Sequence, residues 1–560
     1  MPAAELHGIG VSPGVVHGPV ARLAAAPALP AADAPVADVE AEVAAAREAL
    51  GAVADALDAR AAGAAGVAAD VLTAQALMAR DPALADSTAA VIRSGRDAPH
   101  AVDAAFAEHR AMFLQIGGYL AERVSDLDDL RTRAVAHLLG LPMPGIPDPG
   151  HPFVLVADDL APADTATLDP AKVLAIVTRR GGPTGHTAIL AKQLGIPAVT
   201  ACPDVEALAD GTILLVDGST GSVVREPGQE LIDEARAAQA ALAARRASSH
   251  GPGRTADGHP VRLYVNIGGA GDAAAGTAAG AQGVGLLRTE FLFQGRQTAP
   301  THAEHVAAYA EAFAPYAGRT VIVRTLDVGA DKPLAYLDMG DEENPALGVR
   351  GLRLARRDPA FLTEQLAAIA EAAAASGAEV GVMAPMVATA YEAESFARTA
   401  REHGIARVGV MIEVPAAALC AAQILTHVDF ASLGTNDLAQ YTMATDRLAG
   451  ELADLLDPWQ PAVLQLIAAS AAAGVAAGKP VGVCGEAASD PLLGLVLAGL
   501  GITSLSMAPA SLADVRGTLA AHTLAQCREL AAVALAAPSA PDARAAVGRL
   551  VRERAAAPAG

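Results

Sequence analysis

VGVMAPMVATAYEAESFARTAREHGIARVGVMIEV, residues Val380–Val414, places two short apolar, valine-rich runs around a stretch of helical character. VGVMAP and VGVMIEV have the length and composition of buried strands, so the whole reads as one β–α–β unit. The rhythm extends outward in both directions. VRLYVNI, GVGLL and TVIVRT precede the unit and FASLG, VGVCG and SLSMA follow it, with helical or mixed stretches between them. Eight strand candidates in this alternation predict a (β/α)8 barrel, expected over residues 255–540. In that fold chemistry gathers at the C-terminal ends of the strands. Arg288, Arg324, Glu413, Asn436, Asp437 and Cys484 all fall there.

Upstream the chain changes character. A charged, Ala-rich helix around Glu230–Ser248 reads as a semi-rigid connection, placed at residues 228–254. Before it, FVLVADD, VLAIVTRR, AVTAC and TILLVDG alternate with helices or turns, which predicts an α/β domain over residues 141–227. A strand-like opening through Val11 and Val15 assigns residues 1–32 to the same domain. Residues 33–140 read as an inserted bundle of amphipathic helices, including VADVEAEVAAAREAL and AFAEHRAMFLQIGGYLAERV, ended by the Pro/Gly run LPMPGIPDPG. Residues 541–560 are read as a C-terminal tail. The expected fold class is multidomain α/β, with an inserted helical bundle and a C-terminal TIM barrel.

At 560 residues the chain exceeds one ordinary core. Its formal net charge of -22 argues against nucleic acid or an acidic membrane surface as a partner. The opening MPAAELHGIG lacks the basic and apolar regions of a signal peptide, and no uninterrupted apolar span of membrane length is apparent, so no membrane insertion is expected. Cys202, Cys420, Cys484 and Cys527 are scattered without metal-ligand spacing, which fits a reduced, cytoplasmic setting.

GGPTGHTAIL, Gly181–Leu190, sets His186 after a glycine-rich turn at the expected start of a helix, where backbone N–H groups favour a phosphoryl group. Imidazole can itself be the nucleophile, so His186 is a candidate carrier of that group; the alternative is a capping or core histidine. Thr184 and Thr187 could orient the ring or phosphate, or simply satisfy the helix start. Arg288 and Arg324 can hold carboxylate and phosphate oxygens in fixed geometry, with Lys332 and Arg350 as outer contacts. Glu413 and Asp437 could converge as oxygen ligands on Mg²⁺; the alternative is a pair of partner-bound surface acids. Asn436 and Arg447 can bind phosphate oxygens. Cys484 is either a small buried hydrophobe or a proton donor to an enolate carbon.

The ordered series GIGVSPGV, the His186 motif, RTEFLF, RTLDVGADKP, NPALGVRGLR, IEVPAA, GTNDLAQYTMATDR and GVCGEAASD resembles the phosphoenolpyruvate-protein phosphotransferases, enzyme I of the bacterial sugar phosphotransferase system. The resemblance spans nearly the whole chain. It implies that the α/β domain swivels, that His186 is phosphorylated at Nε2, and that the group passes to the carrier protein HPr, which docks mainly on the bundle. It makes Arg288 and Arg324 phosphoenolpyruvate contacts, Glu413 and Asp437 magnesium ligands, Asn436 and Arg447 phosphate contacts, and Cys484 the proton donor to enolpyruvate. It also implies a homodimer through the barrel. Pro183 and Gly185 depart from the arginine and serine of many members and bear on transfer rate. A pyruvate phosphate dikinase or phosphoenolpyruvate synthase would share this logic but needs a nucleotide-binding domain, for which no region remains before the bundle. A non-enzymatic HPr-binding regulator would not need Cys484 together with the arginines and carboxylates.

Overall fold

The structure, a computed structural model, describes the chain apart from residues 1–4, 24–26, 64–66, 117–122, 142–144, 161–167, 183–185, 294–295, 297, 330–333, 335, 338–339, 341, 448–449 and 557–560. It divides into two units, Met1–Ala240 and Ala241–Gly560.

The first unit carries strands β1 (Glu5–His7), β2 (Ile9–Ser12), β3 (Val15–Arg22), β4 (Phe153–Ala157), β5 (Val173–Thr178), β6 (Ala198–Thr200), β7 (Ile213–Asp217) and β8 (Ser222–Arg225). They form one sheet in the order β1-β8-β7-β3-β4-β5-β6-β2. β3 to β6 run parallel, and their apolar faces pack into two clusters, one around Phe153, Leu155 and Ile176 and the other around Val154, Val177 and Val216. Between β3 and β4 the chain forms helices α1 (Val39–Gly63), α2 (Val67–Ala79), α3 (Pro82–Arg93), α4 (Ala98–Ile116) and α5 (Val124–Leu138). Val53, Leu57, Leu72, Ile92, Val102, Phe106 and Leu130 make their shared core. Asp81 caps α3 by accepting from the Ala83 N–H, and Pro82 occupies the first helical position, where its missing donor costs nothing. Helix α6 (His186–Leu194) connects β5 to β6.

A helix over Gln229–Ser248 spans the boundary between the units, and beyond it β9 (Arg262–Ile267), β10 (Gly283–Arg288), β11 (Thr320–Arg324), β12 (Glu379–Ala384), β13 (Arg407–Ile412), β14 (Phe430–Leu433), β15 (Val481–Val483) and β16 (Ser504–Met507) close into a parallel barrel. All eight coincide with the runs read from sequence. Their side chains alternate between two cores, as the period of a strand requires. Val321, Val323, Val382, Val408 and Val410 face the outer helices, whereas Leu286, Ile322, Met383, Met411, Phe430 and Cys484 fill the barrel interior.

The helices between strands start and stop where the sequence allows. Thr301, Thr389 and Thr523 each form a reciprocal capping box, and Gly377, Gly478 and Gly501 end helices in the left-handed conformation. Two segments differ from the sequence reading. Asp454–Ala477 is apolar and long enough to cross a membrane by composition, although Val463, Leu464, Ile467 and Ala471 pack into the barrel core. The stretch read as a tail forms a helix over Ala540–Ala556, with Ala543 and Val547 buried in the same core.

Candidate functional site

The strand ends at one mouth of the barrel carry a chain of alternating charge. The Glu290 carboxylate pairs with Arg324, whose Nη1 lies 3.0 Å from Asp327 Oδ2. Asp327 in turn sits 2.9 Å from Arg350 Nη2, and Arg350 Nη1 is 3.2 Å from Asp437 Oδ1. Arg447 Nη2 closes the chain, 2.7 Å from the same Asp437 oxygen. Arg324, Asp327, Arg350 and Asp437 are all buried, so these charges interact through protein rather than water. Glu290 and Asp327 were not singled out from sequence; their placement two and three residues after the strand-end arginines in RTEF and RTLD was the available signal. Arg350, read as an outer contact, is instead the fully buried centre.

Arg288 stands apart. It lies opposite Arg324 on the neighbouring strand, and among the described residues no carboxylate pairs with it. Its guanidinium approaches the Phe291 ring at 5.9 Å. Burial and the adjacent Arg324 charge press its pKa down, against the opposing charges of Glu290 and Glu486.

Glu413 is completely buried. Its Oε1 accepts a 2.6 Å hydrogen bond from the Met386 N–H, and its Oε2 has no protein partner. Met386 holds that N–H in place from a left-handed backbone, φ 59°, a conformation that costs about 1–3 kcal/mol in a residue with a Cβ. Burial, then the charges of Asp437 and Asp327, raise the Glu413 pKa well above the usual carboxylate range. Gly434 leaves room beside it, because a Cβ there would lie 2.6 Å from Oε2 and force the carboxylate to shift. An unpaired buried carboxylate oxygen facing a second carboxylate is the donor set that a hard divalent cation takes. Elsewhere, Asp33, Asp97 and His100 bring ligand atoms within 4.8 Å of one another and form a group able to hold a metal ion. There His100 Nδ1 already meets Asp97 at 2.6 Å and Nε2 meets the Pro30 carbonyl at 3.0 Å.

Asn436 lies in the first turn of the helix Thr435–Met443, with its Oδ1 accepting from the Glu486 N–H at 3.0 Å. Cys484 follows β15 and is 2 % exposed; its thiol donates toward the Leu433 carbonyl at 3.5 Å. Burial pushes the thiol up to about 11, against the opposing hydrogen bond from Ser432, so it carries its proton throughout the neutral range. Asn266 Nδ2 holds the Cys484 carbonyl at 3.0 Å.

The barrel thus brings Arg288, Arg324, Glu413, Asn436, Asp437, Arg447 and Cys484 to one mouth. His186 belongs to the other unit, where it is the first residue of α6. Gly181, at φ 103°, turns the chain after β5 in a conformation that suits glycine. The Thr187 hydroxyl is engaged by Asp159 at 3.3 Å. Pro183, Thr184, Gly185 and Lys332 lie outside the described residues.

Three family descriptions match the chain: PEP-utilising enzyme, PEP-binding domain, over residues 243–524; PEP-utilising enzyme, mobile domain, over 149–221; and PEP-utilising enzyme, N-terminal, over 7–123. A phosphoenolpyruvate-protein phosphotransferase of Streptomyces coelicolor is 52% identical over 97% of this chain and 98% of its own length. Proteins of the same name from Haloferax volcanii and Geobacillus stearothermophilus are 41% and 37% identical, covering 83% and 92% of this chain and 84% and 92% of theirs.

Proposed function

Because the chain belongs to the phosphoenolpyruvate-protein phosphotransferase family, we propose that His186 takes the phosphoryl group of phosphoenolpyruvate, with release of pyruvate, and passes it to HPr. The enzyme performs phosphoenolpyruvate-dependent phosphoryl transfer, and the barrel mouth supports the following roles for its residues. The observation that carries the reading is Arg288, a guanidinium without a carboxylate partner among the described residues, beside the alternating charges.

The phosphate of phosphoenolpyruvate supplies the direct ion pair that Arg288 lacks among the described residues. Arg324 binds alongside it from the neighbouring strand, and Arg447 exchanges its Asp437 partner for a phosphate oxygen. Asn436 donates its amide N–H to the same group. Glu413 and Asp437 hold Mg²⁺, which when bound offsets negative charge on the phosphoryl oxygens. Neutral His186 attacks phosphorus as the bond to the enol oxygen breaks. Cys484, kept protonated by burial, gives its proton to the enolate carbon to form pyruvate. In this reading the α/β domain, residues 1–32 and 141–227, swivels, hinged over 228–254. The bundle, residues 33–140, docks HPr, and the barrel, residues 255–540, forms a homodimer in the cytoplasm.

Intact-mass and site-mapping analysis after incubation with phosphoenolpyruvate and Mg²⁺, under conditions that preserve phosphohistidine, tests the reading. One phosphate on His186 with matching pyruvate release supports it. A folded protein that binds phosphoenolpyruvate but gains no phosphate refutes it.

A further inference from the structure

β10 carries an irregularity just before Arg288. Its pairing with β11 shifts register between Val284 and Leu287, and its pairing with β9 shifts between Val284 and Leu286. One extra residue therefore sits in β10, and an extra residue reverses the face of every side chain after it. Burial records the reversal. Val284 and Leu287, three positions apart, both pack in the outer core, while Leu286 packs inside the barrel. With the bulge, Arg288 stands opposite Arg324. Without it, the Gly283–Thr320 offset would continue, set Arg288 opposite Thr325 and turn its side chain away from the interior.

A bulge loosens the ladder, so another contact must fix the strand end. Gln365, on the helix Pro359–Ser376, is 2 % exposed and reaches both strands. Its Oε1 accepts from the Leu326 N–H at 3.0 Å, and its Nε2 donates to the Thr289 hydroxyl at 3.1 Å and to the Tyr309 hydroxyl at 3.0 Å. Thr289 then donates to the Arg324 carbonyl at 3.0 Å. The residue after Arg288, the carbonyl of Arg324 and the amide two residues beyond it are thus tied through one amide. Every member is neutral and buried. The arrangement holds two repelling guanidiniums in register while adding no charge of its own.

We propose that Gln365, acting through Thr289, is the positioning residue that sets Arg288 beside Arg324 for the phosphoryl group, an inference that rests on both arginines being phosphoenolpyruvate anchors. The test is single-turnover phosphorylation of the full chain with phosphoenolpyruvate and Mg²⁺, at low and at saturating phosphoenolpyruvate. It uses Gln365→Leu, Arg288→Met and the double variant. Gln365→Leu is expected to lower kcat/KM at least about tenfold, because misplacement by about 1 Å can cost on the order of 10²-fold. In the Arg288→Met background the same change should cost less than about twofold, as coupling between residues of one network predicts. Equal losses in both backgrounds, or none in either, would overturn the proposal.

Gln365→Leu strands three buried partners, so Thr289→Val, which keeps the side chain's shape and removes only its hydroxyl, is run through the same cycle. If neither variant folds, as read by Trp459 fluorescence, the clamp is purely structural and the proposal falls. If Arg288→Met itself leaves kcat/KM unchanged, the anchor reading has failed first, and the proposal goes with it for a separately visible reason.

Discussion

Replacing Arg288 and Arg350 in turn by methionine should separate catalysis from stability at a single site. Arg288 has no carboxylate partner among the described residues, so Arg288→Met strands no buried charge. It removes a desolvated cation pressed by Arg324 together with one cation–π approach to Phe291, so the barrel should lose no more than about 1 kcal/mol. The phosphoryl group, however, loses a charged donor. Removing one preorganised donor from a developing charge costs about 10²–10³-fold, or roughly 3–4 kcal/mol, and kcat/KM for His186 phosphorylation should fall by that factor. Arg350→Met does the reverse to stability. It takes a partner from the buried carboxylates of both Asp327 and Asp437, a loss of about 3–5 kcal/mol. With an m-value of roughly 3 kcal/mol/M, the urea midpoint should fall by about 1 M or more. Trp459, the single tryptophan of the chain, is buried in the barrel and donates to Asp490 at 2.9 Å, so its fluorescence reports that unit's unfolding. The reasoning fails if Arg288→Met lowers the midpoint as far as Arg350→Met does, or keeps kcat/KM within tenfold of the parent.

Three further outcomes follow from the geometry. Cys484→Ala should slow pyruvate formation by about 10²–10⁴-fold, the usual contribution of a general acid, as measured by coupled pyruvate reduction; an unchanged rate would remove Cys484 from the chemistry. Limited alkylation at neutral pH, followed by peptide mapping, should modify exposed Cys420 well before Cys202, Cys484 and Cys527, which are buried and whose thiols are each pushed up to about 11. In the bundle, burial lowers the His100 pKa, but the Asp97 hydrogen bond, the Pro30 carbonyl and the Asp97 and Asp33 charges outweigh it and leave the pKa raised. A raised folded-state value contributes stability below the unfolded value of about 6.5, and that stability is lost as pH climbs through the folded value. Hydrogen exchange in α1–α5 should therefore quicken above about pH 6.5 beyond its intrinsic pH dependence, and His100→Gln should abolish that excess.

The barrel was legible because each of its strands is a short, nearly continuous apolar run, and a parallel strand covered on both faces needs little else. The polar side chains at the strand ends were legible for a related reason: a polar residue directly after such a run has to emerge at the mouth. Convergence was not. Nothing local in RTLD or GVRG says that Asp327 and Arg350 meet, since that contact depends on how two loops return over the barrel. The bulge in GVGLLR was equally hidden, because its extra residue leaves an apolar run unbroken and appears only against the neighbouring strands. β8, SVVR, is short and half-exposed, too little pattern to distinguish from a turn. The final helix, APDARAAVGRLVRERAA, spends most of its length on Ala and Arg, and its buried face is made of small residues.

The alternating row from Glu290 to Arg447 also bears on selectivity. Three acids and three guanidiniums balance to zero, so the row behaves as an ion exchanger already in its salt form. A small monovalent anion can approach Arg288, yet it cannot draw Arg447 away without leaving buried Asp437 to Arg350 alone. A ligand that delivers several negative charges together with a divalent cation satisfies both halves of the exchange at once. Discrimination against chloride, acetate or free pyruvate then comes from the partners those ions would leave behind, more than from the shape of the mouth.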